Sequence, residues 1–136
     1  MMGQAIRRKV LVVEDEAELR HLAATVIEET DLEVVEVETA DAALAFLQDH
    51  ADEVVMVFTD VTLPGRADGV DLTLACAARW PHIRVLVTSG RVRLPKDGLP
   101  KTARFMPKPW RALDVLVAVD KAARGAGIPT TVARRQ

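Results

Sequence analysis

Charged residues stand at the ends of apolar, strand-like runs in this sequence. Glu14 and Asp15 follow the run KVLVV, Asp60 follows EVVMVFT, and Lys108 follows ARFMP. Carboxylates that converge on one place repel each other and raise one another's pKa values unless a cation lies between them. A carboxylate can also attack phosphorus and form an aspartyl phosphate. These residue types point to a magnesium site combined with phosphoryl chemistry.

The elements that must hold these residues alternate between strands and helices. Periodicity predicts strands at 9–13, 32–38, 53–59, 83–89 and 103–107. It predicts a first helix at about 16–29, a second capped by Thr39, a third from Gly69 to Trp80 stopped by Pro81, and a last one beginning near Pro109 and Trp110. The predicted apolar stripes are Leu19, Leu22, Ala23, Val26 and Ile27 in the first helix, Ala40, Ala43, Leu44 and Leu47 in the second, and Leu113, Leu116 and Val117 in the last.

This alternation predicts an α/β fold with a doubly wound, five-stranded parallel sheet and helices on both faces. In such sheets ligands bind at the carboxyl ends of the strands. The segment 91–100 is rich in proline and glycine, so a fourth helix there is expected to be short or irregular.

The polar residues therefore gather at one edge of the predicted sheet. Mg²⁺ prefers oxygen ligands, and Glu14, Asp15, Asp60 and the backbone carbonyl of Thr62 are candidates. Phosphoryl transfer also needs positive charge and hydrogen-bond donors around the phosphoryl oxygens. The candidates for that task are Lys108, Thr88 and the small Ser89, and Pro64 and Gly65 mark the turn after Asp60.

Length and composition limit the possible functions. The chain has 136 residues, enough for one domain and too few for a separate effector domain. The net charge of −2 gives no reason to expect nucleic acid or a membrane as the partner. Cys76 is the only cysteine, lies in an apolar helical stretch, and is interpreted as a core residue of a cytoplasmic protein.

Four successive motifs resemble those of the response-regulator receiver domain, also called the CheY-like domain. They are LVVEDE, VFTDVTLPGRADGVDL, VLVTSG and RFMPKPW, and the similarity runs from Lys9 to Arg124. The resemblance implies a flavodoxin-like strand order of 2-1-3-4-5. It leaves residues 1–8 as an N-terminal extension and 125–136 as a flexible tail.

The resemblance also implies a role for each matching residue. Asp60 is the expected phosphoacceptor and Lys108 the matching lysine, with a cis bond before Pro109. Glu14 and Asp15 are the expected magnesium-binding pair, with glutamate where aspartate is more usual. Thr88 is the expected switch hydroxyl, and Phe105 matches the aromatic switch position.

The implied activity is that of a single-domain phosphorylation switch rather than a classical enzyme. A sensor histidine kinase or a histidine phosphotransfer protein is the expected phosphodonor. Output is expected through a downstream protein bound at the surface of the fourth helix, fifth strand and fifth helix, and a homodimer of the activated form stays open. The irregular segment 91–100 is the main departure from the family pattern.

Simpler interpretations of single residues stay open at this stage. Asp60 alone could be a strand-end cap, Thr88 a strand residue, Lys108 a surface residue, and Phe105 a core residue. The basic run Arg91, Arg93, Lys96, Lys101 and Arg104 is either a solvated surface or a docking surface for an acidic partner.

Three other functions also compete. A haloacid-dehalogenase-type phosphatase needs a second acid two residues after its nucleophile, where this chain has Thr62. A flavin-binding module is disfavoured because Glu14, Asp15 and Glu16 would repel the flavin phosphate. A degenerate receiver that acts only in dimerisation is the third alternative.

Overall fold

The strands and helices alternate along the chain in the computed structural model, which describes residues 8–90 and 98–127. The strands are β1 (Lys9–Val13), β2 (Glu33–Val37), β3 (Val54–Asp60), β4 (Arg84–Ser89) and β5 (Ala103–Pro107). The helices are α1 (Ala17–Ile27), α2 (Ala40–His50), α3 (Gly69–Arg79) and α4 (Ala112–Gly125), with a 3-10 turn at Ala51–Glu53.

The five strands form one parallel sheet in the order β2-β1-β3-β4-β5. This confirms the predicted doubly wound fold and its strand order. Every residue of the central strand β3 is buried, so its side chains are covered on both faces of the sheet. A strand buried on both faces has a nearly continuous apolar sequence, and this pattern predicted β3 from the sequence.

Two apolar cores cover the two faces of the sheet. On one face, residues such as Leu47 of α2 and Leu72 of α3 pack against alternate residues of β1, β3 and β4. On the other face, Ile27 of α1 and Val119 of α4 pack against the intervening residues. The alternation of strand side chains thus fixes which residues of each strand reach which face.

Side-chain caps set the starts of α2 and α3. The Thr39 hydroxyl accepts a hydrogen bond from the Ala42 backbone N–H at 2.9 Å, as predicted. At α3, the Asp68 carboxylate accepts from the Asp71 N–H at 2.9 Å, and Asp71 accepts from the Asp68 N–H at 3.0 Å. These reciprocal bonds satisfy N–H groups that the first turn leaves without helical partners.

The predicted apolar stripes of the first and last helices were partly wrong. In α4 the buried residues are Val115, Val119, Ala122 and Ala123, whereas Leu113 and Val117 are 64% and 45% exposed. In α1, Leu22 is 50% exposed. Both helices carry apolar residues at helical spacing on more than one side, so periodicity alone did not select the side that packs.

The last helix begins at Ala112, later than predicted. Arg111 has an extended backbone and precedes the first turn, and its N–H donates to the Asp114 carboxylate at 3.2 Å. Most of the expected irregular fourth helix, with the basic residues at 91–96, lies outside the described residues, as do 1–7 and 128–136. Within the described ranges, no helix is long and apolar enough to cross a membrane.

Cys76 lies in the core, as the sequence predicted. Cys76 is fully buried in α3, and this burial raises the pKa of its thiol to about 12. We therefore expect no reaction of the native protein with Ellman's reagent at pH 8, and full reaction in urea. The folded pKa lies above that of the unfolded chain, so thiol ionisation should weaken the fold only as the pH rises above about 8.5. Rapid native labelling would contradict this burial.

Candidate functional site

Residues at the ends of three neighbouring strands share one row at the carboxyl edge of the sheet. Val13 of β1 pairs with Thr59 of β3, so Glu14 comes next to Asp60. Asp60 in turn pairs with Thr88 of β4. Neighbouring strands lie about 4.8 Å apart, and paired residues point to the same face. The sheet register therefore brings together residues that lie up to 74 positions apart in sequence.

The three predicted acidic residues form one cluster at this edge. Glu14, Asp15 and Asp60 each offer a carboxylate oxygen, and these three atoms lie within 4.8 Å of one another. Glu14 and Asp60 are buried, whereas Asp15 is exposed. The cluster is thus fixed on the inside by two strand ends and open to solvent on the Asp15 side.

Lys108 reaches into this cluster from the end of β5. Its ammonium Nζ lies 3.3 Å from Glu14 Oε1 and 3.3 Å from Asp60 Oδ2. The backbone N–H of Lys108 donates to the Ser89 carbonyl at 3.0 Å, which ties the residue to the end of β4. The bond between Lys108 and Pro109 is cis. Lys108 is therefore held at the carboxyl edge of the sheet by its backbone, with its ammonium group in contact with the carboxylates.

Both oxygens of the Glu14 carboxylate have a hydrogen-bond partner. Oε2 accepts from the Glu16 backbone N–H at 3.0 Å, and Oε1 faces Lys108. Burial raises the pKa of the Glu14 carboxyl, with a smaller contribution from the negative charge of Asp60, although the bonds to Glu16 and Lys108 act in the opposite direction. A nearby cation would relieve this penalty on the charged form.

The environment of Lys108 favours its ammonium form. Burial by itself acts to lower the pKa of Lys108, but the negative charges of Asp60 and Glu14 and their hydrogen bonds outweigh burial and raise that pKa. Among the described residues, the acidic cluster thus combines one ammonium group with three carboxylates. The remaining negative charge and the oxygen-only donor set match what Mg²⁺ requires.

Thr88 contributes a polar atom without a partner. The residue is 1% exposed, and its hydroxyl Oγ1 makes no hydrogen bond within the described ranges. Such buried groups are uncommon because leaving one unpaired costs about 1–3 kcal/mol. Thr88 pairs with Asp60 in the sheet register, so this unpartnered residue lies beside Asp60.

Comparison of the sequence with known protein families gives the same interpretation as the geometry of the site. Residues 10–119 match the family model of the response regulator receiver domain. The chain belongs to this family. Receivers are phosphoacceptor switches of two-component signalling that bind Mg²⁺ at an acidic pocket, and they interact with histidine kinases or phosphotransfer proteins and with downstream effectors.

Individual relatives of this receiver match it over most of its length. The chemotaxis protein CheY of Listeria monocytogenes is 30% identical over 120 residues, covering 85% of this chain and 98% of CheY. The response regulator protein FleR of Pseudomonas aeruginosa is 33% identical over 120 residues, covering 86% of this chain and 25% of FleR. A receiver domain protein from Clostridium thermocellum shares the fold, with a TM-score of 0.77, 22% identity, and coverage of 88% and 97%.

Other predicted residues of the receiver lie in the loop after β3 and in β5. Thr62, Pro64 and Gly65 form the exposed loop after β3. Gly65 has φ of +99°, a conformation that side chains rarely adopt, so glycine suits this turn. Phe105 is half-buried and pairs with Val87, one position before the row of Thr88, and its role as a switch stays a prediction.

Two residues of the edge were not found from the sequence. Gly69, the first residue of α3, donates its N–H to the Val61 carbonyl at 2.8 Å, and a Cβ there would lie 2.0 Å from the Asp60 carbonyl oxygen. Arg20 of α1 donates to the Glu14 carbonyl at 3.0 Å. Both act through the backbone, and residue type and spacing carry no signal of such contacts.

Proposed function

We propose that this receiver accepts a phosphoryl group on Asp60 in a magnesium-dependent reaction and signals by a change in partner binding. The observation that carries the proposal is the convergence of the three carboxylates with Lys108 at one rigid strand edge. The unpartnered Thr88 hydroxyl beside Asp60 supports it, because phosphoryl oxygens are strong acceptors.

The residues present fit a magnesium ion. Glu14, Asp15 and Asp60 would hold it, directly or through water, together with the Thr62 backbone carbonyl. When bound, the ion supplies positive charge that neutralises phosphoryl oxygens and offsets repulsion among the carboxylates. Burial of Glu14 raises its pKa, so an ion there would also favour its charged form.

Asp60 performs the covalent step in this proposal. A carboxylate oxygen of Asp60 attacks the phosphorus, and the bond from phosphorus to the donor nitrogen or oxygen breaks. The departing group keeps that electron pair. Lys108 Nζ, 3.3 Å from Asp60 Oδ2, stabilises the negative charge of the transferring group, and the Thr88 hydroxyl donates to one of its oxygens.

The switch follows from the charge that phosphorylation adds. A phosphoryl group brings nearly two negative charges to a buried strand end. It should draw the Thr88 hydroxyl and Lys108 toward itself and so bias the nearby surface, including Phe105, between two states. We place this switch within residues 9–124, with 1–8 and 125–136 outside it.

The partners proposed are those of the family. A histidine kinase or histidine phosphotransfer protein donates the phosphoryl group in the cytoplasm. A downstream protein reads the changed surface around β5 and α4. The exposed apolar side chains of Leu113 and Val117 on α4 support a protein-binding role for that surface.

Two competing functions do not fit the described residues of this edge. Thr62 is exposed just after Asp60 and has no carboxylate to act as the general acid of a dehalogenase-type phosphatase. The clustered carboxylates would repel a flavin phosphate. A degenerate receiver differs from a working one only in chemistry, so phosphorylation distinguishes the two.

The test is to replace Glu14 and Asp15 together with glutamine and asparagine. Wild-type protein incubated with acetyl phosphate should gain the mass of one phosphoryl group only when Mg²⁺ is present. The double variant keeps the volume of both side chains but removes both charges, so Mg²⁺ affinity should fall at least about tenfold, or about 1.4 kcal/mol. Intact mass and calorimetric titration measure the two effects.

The control is Glu28→Gln with Asp49→Asn, two exposed acids away from the cluster. This control should bind Mg²⁺ and gain the phosphoryl mass like the wild type. Unchanged magnesium affinity in the Glu14 and Asp15 variant would contradict the assigned ligands. A wild type that stays unmodified with both acetyl phosphate and a phosphorylated histidine phosphotransfer protein would support the degenerate receiver instead.

A further inference from the structure

Arg20 bridges the acidic edge and the neighbouring strand β2. Its side chain is 12% exposed. Nη1 donates to the Glu14 backbone carbonyl at 3.0 Å, and Nε donates to the Glu36 carboxylate at 3.2 Å. A guanidinium presents its N–H donors in a rigid planar fork, so fixing one nitrogen also directs the others. Glu36 thus aims Arg20 at the loop that follows β1.

Glu36 is itself held in place. It belongs to β2 and pairs with Val12 of β1 in the sheet. The His21 Nδ1 atom lies 2.9 Å from the same Glu36 oxygen that accepts from Arg20. Sheet pairing fixes the backbone of Glu36 and His21 contacts its carboxylate, so Glu36 offers Arg20 an anchor that does not depend on Arg20 itself.

The side chains of Glu14 and Asp15 depend on Arg20 to different degrees. The Glu14 side chain is fixed by Glu16 and Lys108, as described above. No side-chain hydrogen bond to Asp15 is found within residues 8–90 and 98–127, and Asp15 is exposed. The direction of the Asp15 carboxylate therefore depends on the backbone that carries it.

That backbone is the peptide unit oriented by Arg20. A peptide unit is planar, so the Glu14 carbonyl and the Asp15 N–H lie in one plane. The Glu14 N–H donates to the Val37 carbonyl at 3.1 Å, which fixes the chain just before this unit. The bond from Arg20 to the carbonyl removes the remaining freedom to rotate that plane.

We propose that Arg20 is a positioning residue, which orients the Glu14–Asp15 peptide so that the Asp15 carboxylate faces the cation site. This inference rests on the proposed magnesium-dependent function. It adds a residue that touches neither the ion nor the phosphoryl group. Arg20 acts through hydrogen bonds, and Glu36 sets the direction of those bonds.

Charge and position predict opposite effects at this residue. Arg20 is itself a cation near a cation site, so its charge alone disfavours Mg²⁺ binding. If charge were its only influence, Arg20→Gln would bind Mg²⁺ more tightly and Arg20→Lys would bind as the wild type does. If Arg20 positions Asp15, both variants bind more weakly, because neither glutamine nor lysine reproduces the two-ended fork.

The experiment is a calorimetric Mg²⁺ titration of the full chain as wild type, Arg20→Lys and Arg20→Gln. Arg124→Lys and Arg124→Gln are the matched controls, because Arg124 pairs with Asp120 within α4. We expect the Mg²⁺ dissociation constant to rise about tenfold in both Arg20 variants. This is the lower end of the effect seen when hydrogen-bond partners of metal ligands are replaced. The controls should stay at the wild-type value.

Melting temperatures without Mg²⁺ separate positioning from general stability. A purely structural role would lower the melting temperature of the Arg20 variants while leaving their Mg²⁺ affinity unchanged, and that result overturns the proposal. Tighter binding by Arg20→Gln overturns it too. A wild type that binds no Mg²⁺ would overturn this inference together with the proposed function, whereas normal wild-type binding with unaffected variants overturns this inference alone.

Discussion

Asp60→Asn is expected to abolish phosphorylation of this receiver while leaving its fold intact. The change replaces one oxygen of a buried carboxylate with an amide nitrogen and keeps the shape of the side chain. A neutral amide is a far weaker nucleophile toward phosphorus, and its NH₂ group cannot accept a hydrogen bond from Lys108. Intact mass after incubation with acetyl phosphate and Mg²⁺ should show no gain.

Asp49→Asn is the matched control for this prediction. It makes the same chemical change on the exposed side of α2, so it should gain one phosphoryl group as the wild type does. Circular dichroism checks that both variants are folded. Equal labelling of Asp60→Asn would remove Asp60 as the acceptor, and cleavage and mass mapping of the labelled protein would then locate the true site.

The convergence of side chains around Asp60 was predictable because it depends on strand ends. Continuous apolar runs marked the strands, and the carboxyl ends of parallel strands meet at one edge. The register then put Asp60 beside Glu14 and Thr88, with Lys108 3.3 Å from Asp60. Residue type and strand order sufficed for this part of the site.

The remaining features depend on packing in three dimensions. Val115 and Val117 of α4 are both apolar, and only the packed structure shows that Val115 is buried and Val117 exposed. Arg20 looked like any polar residue of a surface helix, yet its contacts are with a carbonyl and with another strand. Contacts to backbone atoms leave no periodic pattern in the sequence.

Gly69 is the clearest case of such a contact, and Gly69→Ala is expected to destabilise the protein strongly. A Cβ at this position would lie 2.0 Å from the Asp60 carbonyl oxygen and 2.8 Å from Val61 Cα. Both are backbone atoms of the segment that carries Asp60, so a flexible side chain cannot yield to the added methyl group. Overpacking of this kind costs about 3 kcal/mol, more than the roughly 1 kcal/mol that alanine gains over glycine within a helix.

Gly125→Ala is the control that isolates this steric effect. Gly125 is the last residue of α4, and the nearest atoms to a Cβ there would be those at the flexible end of the Arg84 side chain, from 3.4 Å. That variant should be unchanged or stabilised by about 0.5 kcal/mol. Urea unfolding of both variants measures the difference.

In the folded fraction of Gly69→Ala, labelling by acetyl phosphate should also slow, because the methyl group can fit only if α3 or the Asp60 backbone moves. Equal stability of the two variants would show that the start of α3 does not pack closely against the Asp60 backbone.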